Sequence, residues 1–189
     1  MPGRGVRGPL PRKEGQLAEK TTLARDVFAD VATALAAPGC AAQDLLAPVA
    51  DHLIATYELG LVTVTYRDTT DGSFLRLFSS MPDAYEAQGR KPANETDWSQ
   101  HVITDRKTFV ANDYEGMSRV MYDHEKIRSL GLESILNIPI VVSGDVVGTL
   151  NCLGPDGHMS GDIIAGCEAM RLAVAVALQL EKSRMAEQA

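Results

Sequence analysis

The segment that most constrains the fold runs from Leu132 to Gly154. Within it, two runs rich in branched apolar residues flank the tripeptide Ser-Gly-Asp at positions 143–145. Gly and Asp readily adopt the backbone of a tight turn, and β-branched residues prefer a pleated surface. The segment therefore predicts a β-hairpin whose turn lies at this tripeptide.

The register of this hairpin decides which of its side chains face the core. A three-residue loop with Val142 opposite Val146 makes Asn137 and Asn151 cross-strand partners, because side chains alternate between the two faces of a strand. The apolar face then holds Ile138, Ile140, Val142, Val146, Gly148 and Leu150, and the other face holds Asn137, Pro139, Val141, Val147, Thr149 and Asn151. The two amides on the second face either cap strand ends or look into a pocket.

The composition is that of a globular protein. The chain has 189 residues, enough for one domain with a hydrophobic core, and 45% of them are hydrophobic. A net charge of −7 argues against a nucleic-acid-binding surface and against binding to anionic membranes. No apolar run has membrane-spanning length and no secretory signal is present, so we expect a cytoplasmic protein.

Three cysteines, Cys40, Cys152 and Cys167, form an odd number at wide spacings. We interpret them as reduced thiols rather than as a disulfide framework or zinc ligands. No second His stands at helical ligand spacing from His124. We therefore expect neither a metal nor a cofactor.

The rest of the chain alternates helical and strand patterns. Residues 1–15 are rich in Pro, Gly and basic side chains and predict a disordered tail, whereas residues 16–187 form one domain. Periodicity predicts helices at 16–37, 42–58, 97–105 and 118–130, a last helix from Ser160 or Asp162 to Glu187, strands at 61–67, 73–79 and 108–111, and a long loop at 81–95. This order predicts an α+β fold with an antiparallel sheet of five to six strands and helices packed on it.

The last predicted helix is apolar on two sides. One stripe comprises Ile163, Cys167, Met170, Val174 and Leu178, and the other comprises Leu172, Val176 and Leu180. A helix of this kind is either fully buried or shared between the sheet and a partner.

Several short motifs occur together in the second half of the chain. They are Trp98-x-x-His101-Val102, Phe109-Val110-Ala111-Asn112-Asp113, Asp123-His124, Leu130-Gly131-Leu132-x-Ser134, Ile138-Pro139-Ile140, Gly144 and Val147-Gly148-Thr149-Leu150-Asn151. This pattern resembles the GAF domain, a small-molecule sensor domain related in fold to PAS domains. The resemblance covers about residues 20–185, and the segment 131–151 is its most specific part.

The resemblance implies a GAF/PAS-like sheet with the N- and C-terminal helices on one face. Pocket loops and short helices from residues 80–133 would cover the other face. The first and last helices of such domains often form a parallel bundle, which implies a homodimer. A covalent bilin is not favoured, because no Cys lies between Cys40 and Cys152, and the same lack does not support the chemistry of free methionine sulfoxide reductases.

Four candidate ligand-binding residues lie in the predicted pocket loops and short helices. Trp98, the single Trp, either stacks on a planar ligand or belongs to the core. Arg90 either clamps an anion or forms part of a solvated basic turn. Asp113 either caps the next helix or faces the ligand. His124 is a surface side chain, a general base or a hydrogen-bond donor to the ligand.

Three further candidates, Ser134, Asn137 and Asn151, lie on the predicted hairpin. Buried amides and hydroxyls need hydrogen-bond partners. Those partners are either a pocket ligand or neighbouring loops.

Three functions follow from these patterns. In the first, a stand-alone sensor or regulatory domain binds a small polar molecule and signals through a homodimer. In the second, an enzyme on the same fold acts on a small nitrogenous or anionic metabolite, with His124 as base, Asp113 as its orienter and Arg90 as anion clamp. In the third, a purely structural dimerisation domain regulates a partner protein. We favour the first, because of the family resemblance, the two-sided last helix and the two amides on the hairpin. The lack of room for a fused output domain and the titratable residues of the loops motivate the second.

Overall fold

The computed structural model describes residues 27–87, 90–93 and 95–188. The predicted basic tail and the beginning of the predicted first helix lie outside the described residues. The strands are β1 (Leu61–Arg67), β2 (Phe74–Ser79), β3 (Arg90–Lys91), β4 (Phe109–Ala111), β5 (Ser134–Val142) and β6 (Asp145–Gly154). The helices are α1 (27–35), α2 (Ala42–Tyr57), α3 (Asp97–Ser99), α4 (Tyr114–Ser118), α5 (His124–Ser129), α6 (Gly161–Glu168) and α7 (Arg171–Glu187), and a π-helical turn (Gln100–Thr104) follows α3.

The strands form one antiparallel sheet in the order β3-β2-β1-β6-β5-β4. Two local hairpins, β1–β2 and β5–β6, are joined by pairing of β1 with β6, which brings Leu61 opposite Leu153. The predicted α+β fold is confirmed.

The long helices cover one face of this sheet, as expected. In α2 the buried residues Leu45, Leu46, Val49 and Leu53 recur every three or four positions and so form a single apolar stripe. They belong to one core cluster with residues of α1, α6 and α7 and with Ile138, Ile140 and Leu150 of the hairpin. Each fully buried Leu or Ile contributes about 1.5–3 kcal/mol of transfer free energy, so this cluster is the main source of stability.

The body of the hairpin has the predicted register, but its tip does not. Asn137 pairs with Asn151, as expected. Val142, however, pairs with Asp145 rather than with Val146, so the predicted three-residue loop is wrong.

A two-residue turn and a bulge together explain this difference. Ser143 and Gly144 both have positive φ (51° and 91°), the turn type whose twist matches that of the flanking strands. Ile140 pairs with Gly148 and Val141 with Val146, which leaves Val147 as an extra residue on β6. Val147 consequently joins the helix-side core instead of the amide face on which the sequence places it.

Three predicted elements have different bounds in the structure from those expected from the sequence. The helix predicted at 118–130 is instead the pair α4 and α5, because the Asp113 carboxylate caps a helix that begins earlier (Gly116 N–H to Oδ1, 2.7 Å). The loop predicted at 81–95 contains β3, which pairs with β2. The predicted last helix is interrupted between α6 and α7.

The two apolar stripes predicted for the last helix have different surroundings. Cys167, Met170, Val174 and Leu178 are buried against the sheet and α2, whereas Leu172 is 70% exposed. The helical stretch Gly161–Glu187 is also long and apolar enough for a membrane span by length and composition. This is weak support for a membrane location, since core helices of soluble proteins meet the same criteria and the sheet-facing side of this stretch is buried.

We predict that Gly148→Ala destabilises the fold by about 1–3 kcal/mol, as overpacking does in other cores. A Cβ at position 148 would lie 2.1 Å from the Thr65 carbonyl oxygen and 2.7 Å from a methyl carbon of Leu178. Gly161→Ala is the matched control, because a Cβ there meets no atom within 4 Å. Urea unfolding measures both variants, and equal stability of the two would contradict this account of Gly148.

Candidate functional site

A cavity of about 730 Å³ lies on the face of the sheet opposite the long helices. Its floor is formed by β1, β2, β5 and β6, and its walls by β4 and the segments around α3 and α4. The volume is within the range typical of small-molecule sites. Its lining includes Thr63, Thr65, Phe74, Arg76, Tyr85, Trp98, Phe109, Asp113, Asn137, Thr149 and Asn151.

A line of hydrogen bonds crosses the floor of the cavity. The Trp98 indole Nε1–H donates to Asn137 Oδ1 (3.0 Å), Asn137 Nδ2 donates to Asn151 Oδ1 (2.8 Å), and Asn151 Nδ2 donates to the Thr63 hydroxyl (3.2 Å). We call these four side chains the amide ladder. It connects α3 with β5, β6 and β1, so the wall and the floor of the cavity form one hydrogen-bonded unit.

The direction of the amide ladder is fixed by its first member. An indole N–H only donates, so the oxygen of Asn137 must face Trp98 and its nitrogen must face Asn151. The same logic then turns the nitrogen of Asn151 toward Thr63. Each amide nitrogen keeps a second hydrogen for which a ligand acceptor is a suitable partner.

Hydroxyls and aromatic rings complete the floor and walls. Thr65 and Thr149 face each other across β1 and β6, with their hydroxyl oxygens 2.6 Å apart. Phe74 meets Trp98 edge to face, with ring centroids 6.1 Å apart. The cavity therefore offers flat apolar walls together with hydrogen-bonding groups, an arrangement suited to a planar molecule with polar substituents.

A largely buried cluster of Arg76, Tyr85 and Asp123 closes one side of the cavity. The Arg76 guanidinium lies 4.0 Å from the centroid of the Tyr85 ring, and the Tyr85 hydroxyl donates to Asp123 Oδ2 (2.5 Å). Burial, together with the hydrogen bond to Asp123, raises the pKa of Tyr85 well above its usual value, so the phenol stays protonated and keeps donating.

Four of the predicted ligand-binding residues line the cavity: Trp98, Asp113, Asn137 and Asn151. The two amides hydrogen-bond to each other and also line the cavity. Both roles considered from the sequence, a structural hydrogen bond and a place in the pocket, therefore apply to them. Asp113 also has both features, since it caps α4 and lines the cavity. A binding role for these four residues stays a prediction.

The other three predicted residues have partners outside the cavity lining. Arg90 is half-exposed and donates to the Ser73 hydroxyl (2.8 Å), next to Asp71 at 3.5 Å. His124 Nδ1 and the Tyr114 hydroxyl are hydrogen-bonded at 2.7 Å, and Ser134 donates to the Pro155 carbonyl (2.7 Å).

The geometry gives the enzymatic hypothesis no support. Of the proposed base, orienter and anion clamp, only Asp113 lines the cavity. His124, Asp113 and Arg90 each bond to a different local partner instead of to one another within the described residues.

Sequence reasoning missed Arg76, Tyr85 and the three threonines of the floor. The threonines carried a usable signal, because Thr63 and Thr65 alternate with apolar residues in β1 and therefore share one face. Tyr85 lies in the predicted loop, where no periodicity indicates burial, yet only 3% of it is exposed.

The wall of the cavity is connected to the last helices through Thr108. Its carbonyl oxygen lies 3.1 Å from Nε2 of His101, in the π-helical turn. The Thr108 hydroxyl donates to Glu168 at the end of α6 and accepts a hydrogen bond from Arg171 at the start of α7 (2.9 Å). The interruption between α6 and α7 thus lies against the segment that also forms the cavity wall.

Comparison with known proteins identifies the class of domain. The family model of the GAF domain matches residues 42–179. The match spans well over half of the chain, and the chain therefore belongs to the GAF domain family. GAF domains are generally small-molecule-binding sensor domains and are mostly soluble. No curated protein sequence matches the chain.

Solved structures agree with this assignment. The GAF domain of a phosphoenolpyruvate-protein phosphotransferase from Coxiella burnetii superposes with a TM-score of 0.67 at 16% identity, covering 88% of this chain and 96% of that chain. The chromophore-binding domain of a bacteriophytochrome from R. palustris has a TM-score of 0.66 at 13% identity, covering 88% of this chain and 63% of that chain. At such identities the likeness concerns the fold alone.

We predict that Asn137→Leu destabilises the protein by about 1–3 kcal/mol, the usual cost of leaving a buried polar group unpaired. The substitution removes the acceptor of the Trp98 indole N–H and the donor to Asn151 Oδ1. An indole N–H cannot reverse its role, so no rotation of the remaining side chains replaces the lost acceptor.

Urea unfolding measures this loss of stability. Val141→Leu, at the exposed hairpin tip, is the control. A loss for Asn137→Leu no larger than that of the control would show that the amide ladder does not stabilise the fold.

Proposed function

We propose that this GAF domain is a sensor that binds a small polar, planar molecule in the cavity and signals through a homodimer formed by its first and last helices. The observation that carries the proposal is the cavity of about 730 Å³ whose floor is the amide ladder. A domain that served only as a structural scaffold would be expected to fill this space with side chains, since protein interiors are close-packed.

The contacts of Thr108 support transmission from the cavity to the last helix. A ligand that moves Trp98 also moves the π-helical turn that follows it in sequence. That turn is connected through His101 and Thr108 to the ends of α6 and α7. Ligand binding thereby biases the position of α7 relative to the sheet.

The exposed stripe of α7 supports the proposed dimer. Leu172 is 70% exposed, and Val176 and Leu180 on the same stripe are partly exposed. Burial of such a stripe against a second copy removes apolar surface from water. We further propose a cytoplasmic location and a regulatory protein partner that reads the position of α7.

A thermal-shift screen of nucleotides, amino acids and heterocycles tests the proposed ligand binding. At about 100 times its dissociation constant, a ligand stabilises the protein by about 2.7 kcal/mol. That stabilisation should raise the melting temperature by roughly 5–10 °C in a domain of this size. Thr149→Phe, which fills the floor of the cavity, should abolish the shift, whereas Val141→Phe at the exposed hairpin tip should preserve it. Failure of every compound to stabilise the wild type would contradict the proposal.

Sedimentation velocity tests the proposed dimer. We expect the wild-type chain to be dimeric and Leu172→Glu to be monomeric, because burying the Glu carboxylate in an apolar interface has a large desolvation cost. The control is Val141→Glu, a substitution at a 41%-exposed site remote from α7. A monomeric wild type, or a Leu172→Glu variant that stays dimeric, would contradict the proposed homodimer.

A further inference from the structure

We infer that the ligand of the cavity is an aromatic monocarboxylate whose acid group binds to Arg76. The inference rests on the proposed small-molecule function and specifies the chemistry of the ligand. It starts from the few protein hydrogen bonds of a partly buried guanidinium that forms part of the cavity lining.

The Arg76 side chain is only 15% exposed and lines the cavity. A guanidinium has five N–H donors. In the described part of the chain its one hydrogen bond runs from Nη1 to the Glu86 carbonyl (2.7 Å). The remaining N–H donors of this partly buried cation are available to a ligand, and a carboxylate placed in the cavity would accept two parallel hydrogen bonds from it.

The nearest protein carboxylate does not fill this role. Asp123 Oδ2 lies 4.0 Å from Arg76 Nη2, beyond hydrogen-bonding distance, and already accepts from Tyr85. Asp123 Oδ1 is buried and has no hydrogen-bond partner among the described residues. Asp123 is not part of the cavity lining, so the group presented to a ligand is the guanidinium.

Arg76 is held in place before any ligand binds. Its planar head stacks 4.0 Å from the Tyr85 ring centroid, and the Glu86 carbonyl fixes one edge of it. A pre-oriented guanidinium loses little conformational entropy when it binds a carboxylate, which increases affinity.

The charges around the cavity favour a single negative charge on the ligand. Arg76 and Arg119 line it together with two carboxylates, Asp97 and Asp113. Arg119 is 70% exposed and paired with Glu115, so it adds little attraction. Asp123 beside Arg76 adds a third negative charge nearby. A dianionic phosphate would therefore meet more repulsion than a monoanionic carboxylate, which brings one charge to the Arg76 guanidinium.

The remainder of the lining selects the body of the ligand. Phe74, Tyr85, Trp98 and Phe109 provide aromatic surfaces. The Asn137 and Asn151 amides and the Thr65 and Thr149 hydroxyls provide hydrogen-bonding groups for ring substituents. An aromatic ring bearing one carboxylate and a polar substituent matches both features.

Isothermal titration of the full chain with matched acid and amide probes tests this inference. The pairs are benzoate and benzamide, para-hydroxybenzoate and para-hydroxybenzamide, and nicotinate and nicotinamide, with phenyl phosphate as the dianion. We expect at least one acid to bind about tenfold or more tightly than its amide, equivalent to about 1.4 kcal/mol. Arg76→Gln should remove that preference by weakening the binding of the acid far more than that of the amide, and Arg76→Lys should restore part of it.

Arg119→Gln is the matched control, because it removes an exposed cation from the same cavity. Equal binding of acid and amide, tighter binding of phenyl phosphate, or an acid preference that survives Arg76→Gln would each overturn the inference. The comparison of acid with amide in the wild type stands even where Arg76→Gln fails to fold. Where neutral compounds bind and no acid is preferred, the sensor proposal stands and this inference fails. Where no compound of either screen binds, both fail.

Discussion

The pairing of β5 with β6 is the constraint on which the rest of the structure depends. It aligns Asn137 with Asn151 on one face of the hairpin and Ile138 with Leu150 on the other. The first face becomes the floor of the cavity, and the second becomes the base of the helix-side core. A slip of one residue would exchange the two faces, placing amides under α7 and apolar side chains in the cavity. The same pairing therefore supports both stability and binding.

Much of this arrangement could be predicted from sequence because strand periodicity is a local property. The body of the hairpin, the α+β order and the two stripes of the last helix all follow from spacing alone. Prediction from spacing fails at the hairpin tip. There, a two-residue turn combined with the extra residue Val147 gives the same pairing of Asn137 with Asn151 as a three-residue loop would. Two backbone solutions thus produce one pairing, and spacing cannot tell them apart.

The position of Arg76 could not be predicted for a related reason. Ser79 pairs with Thr63 on the cavity face, and simple alternation would place residues 77 and 75 on that face as well. The pairing shifts by one residue within β2, which turns Arg76 into the cavity and leaves Leu77 in the helix-side core. Arg90 had the stronger sequence argument, since it lies in a basic loop. The acidic residues that bind it come from the β1–β2 turn, which is distant in sequence.

The pairing of β1 with β6, which forms the seam between the two hairpins, has a consequence for folding. The two hairpins form from residues close in sequence, but Leu61 and Leu153 must meet although about half of the chain separates them. Contacts of such long range close slowly, because loop entropy must be lost before they form. The Thr65–Thr149 pair and the Asn151–Thr63 bond both span this seam. The floor of the cavity thus exists only in chains that have completed this long-range pairing. A molecule bound on it therefore stabilises the native state together with the junction between the two hairpins.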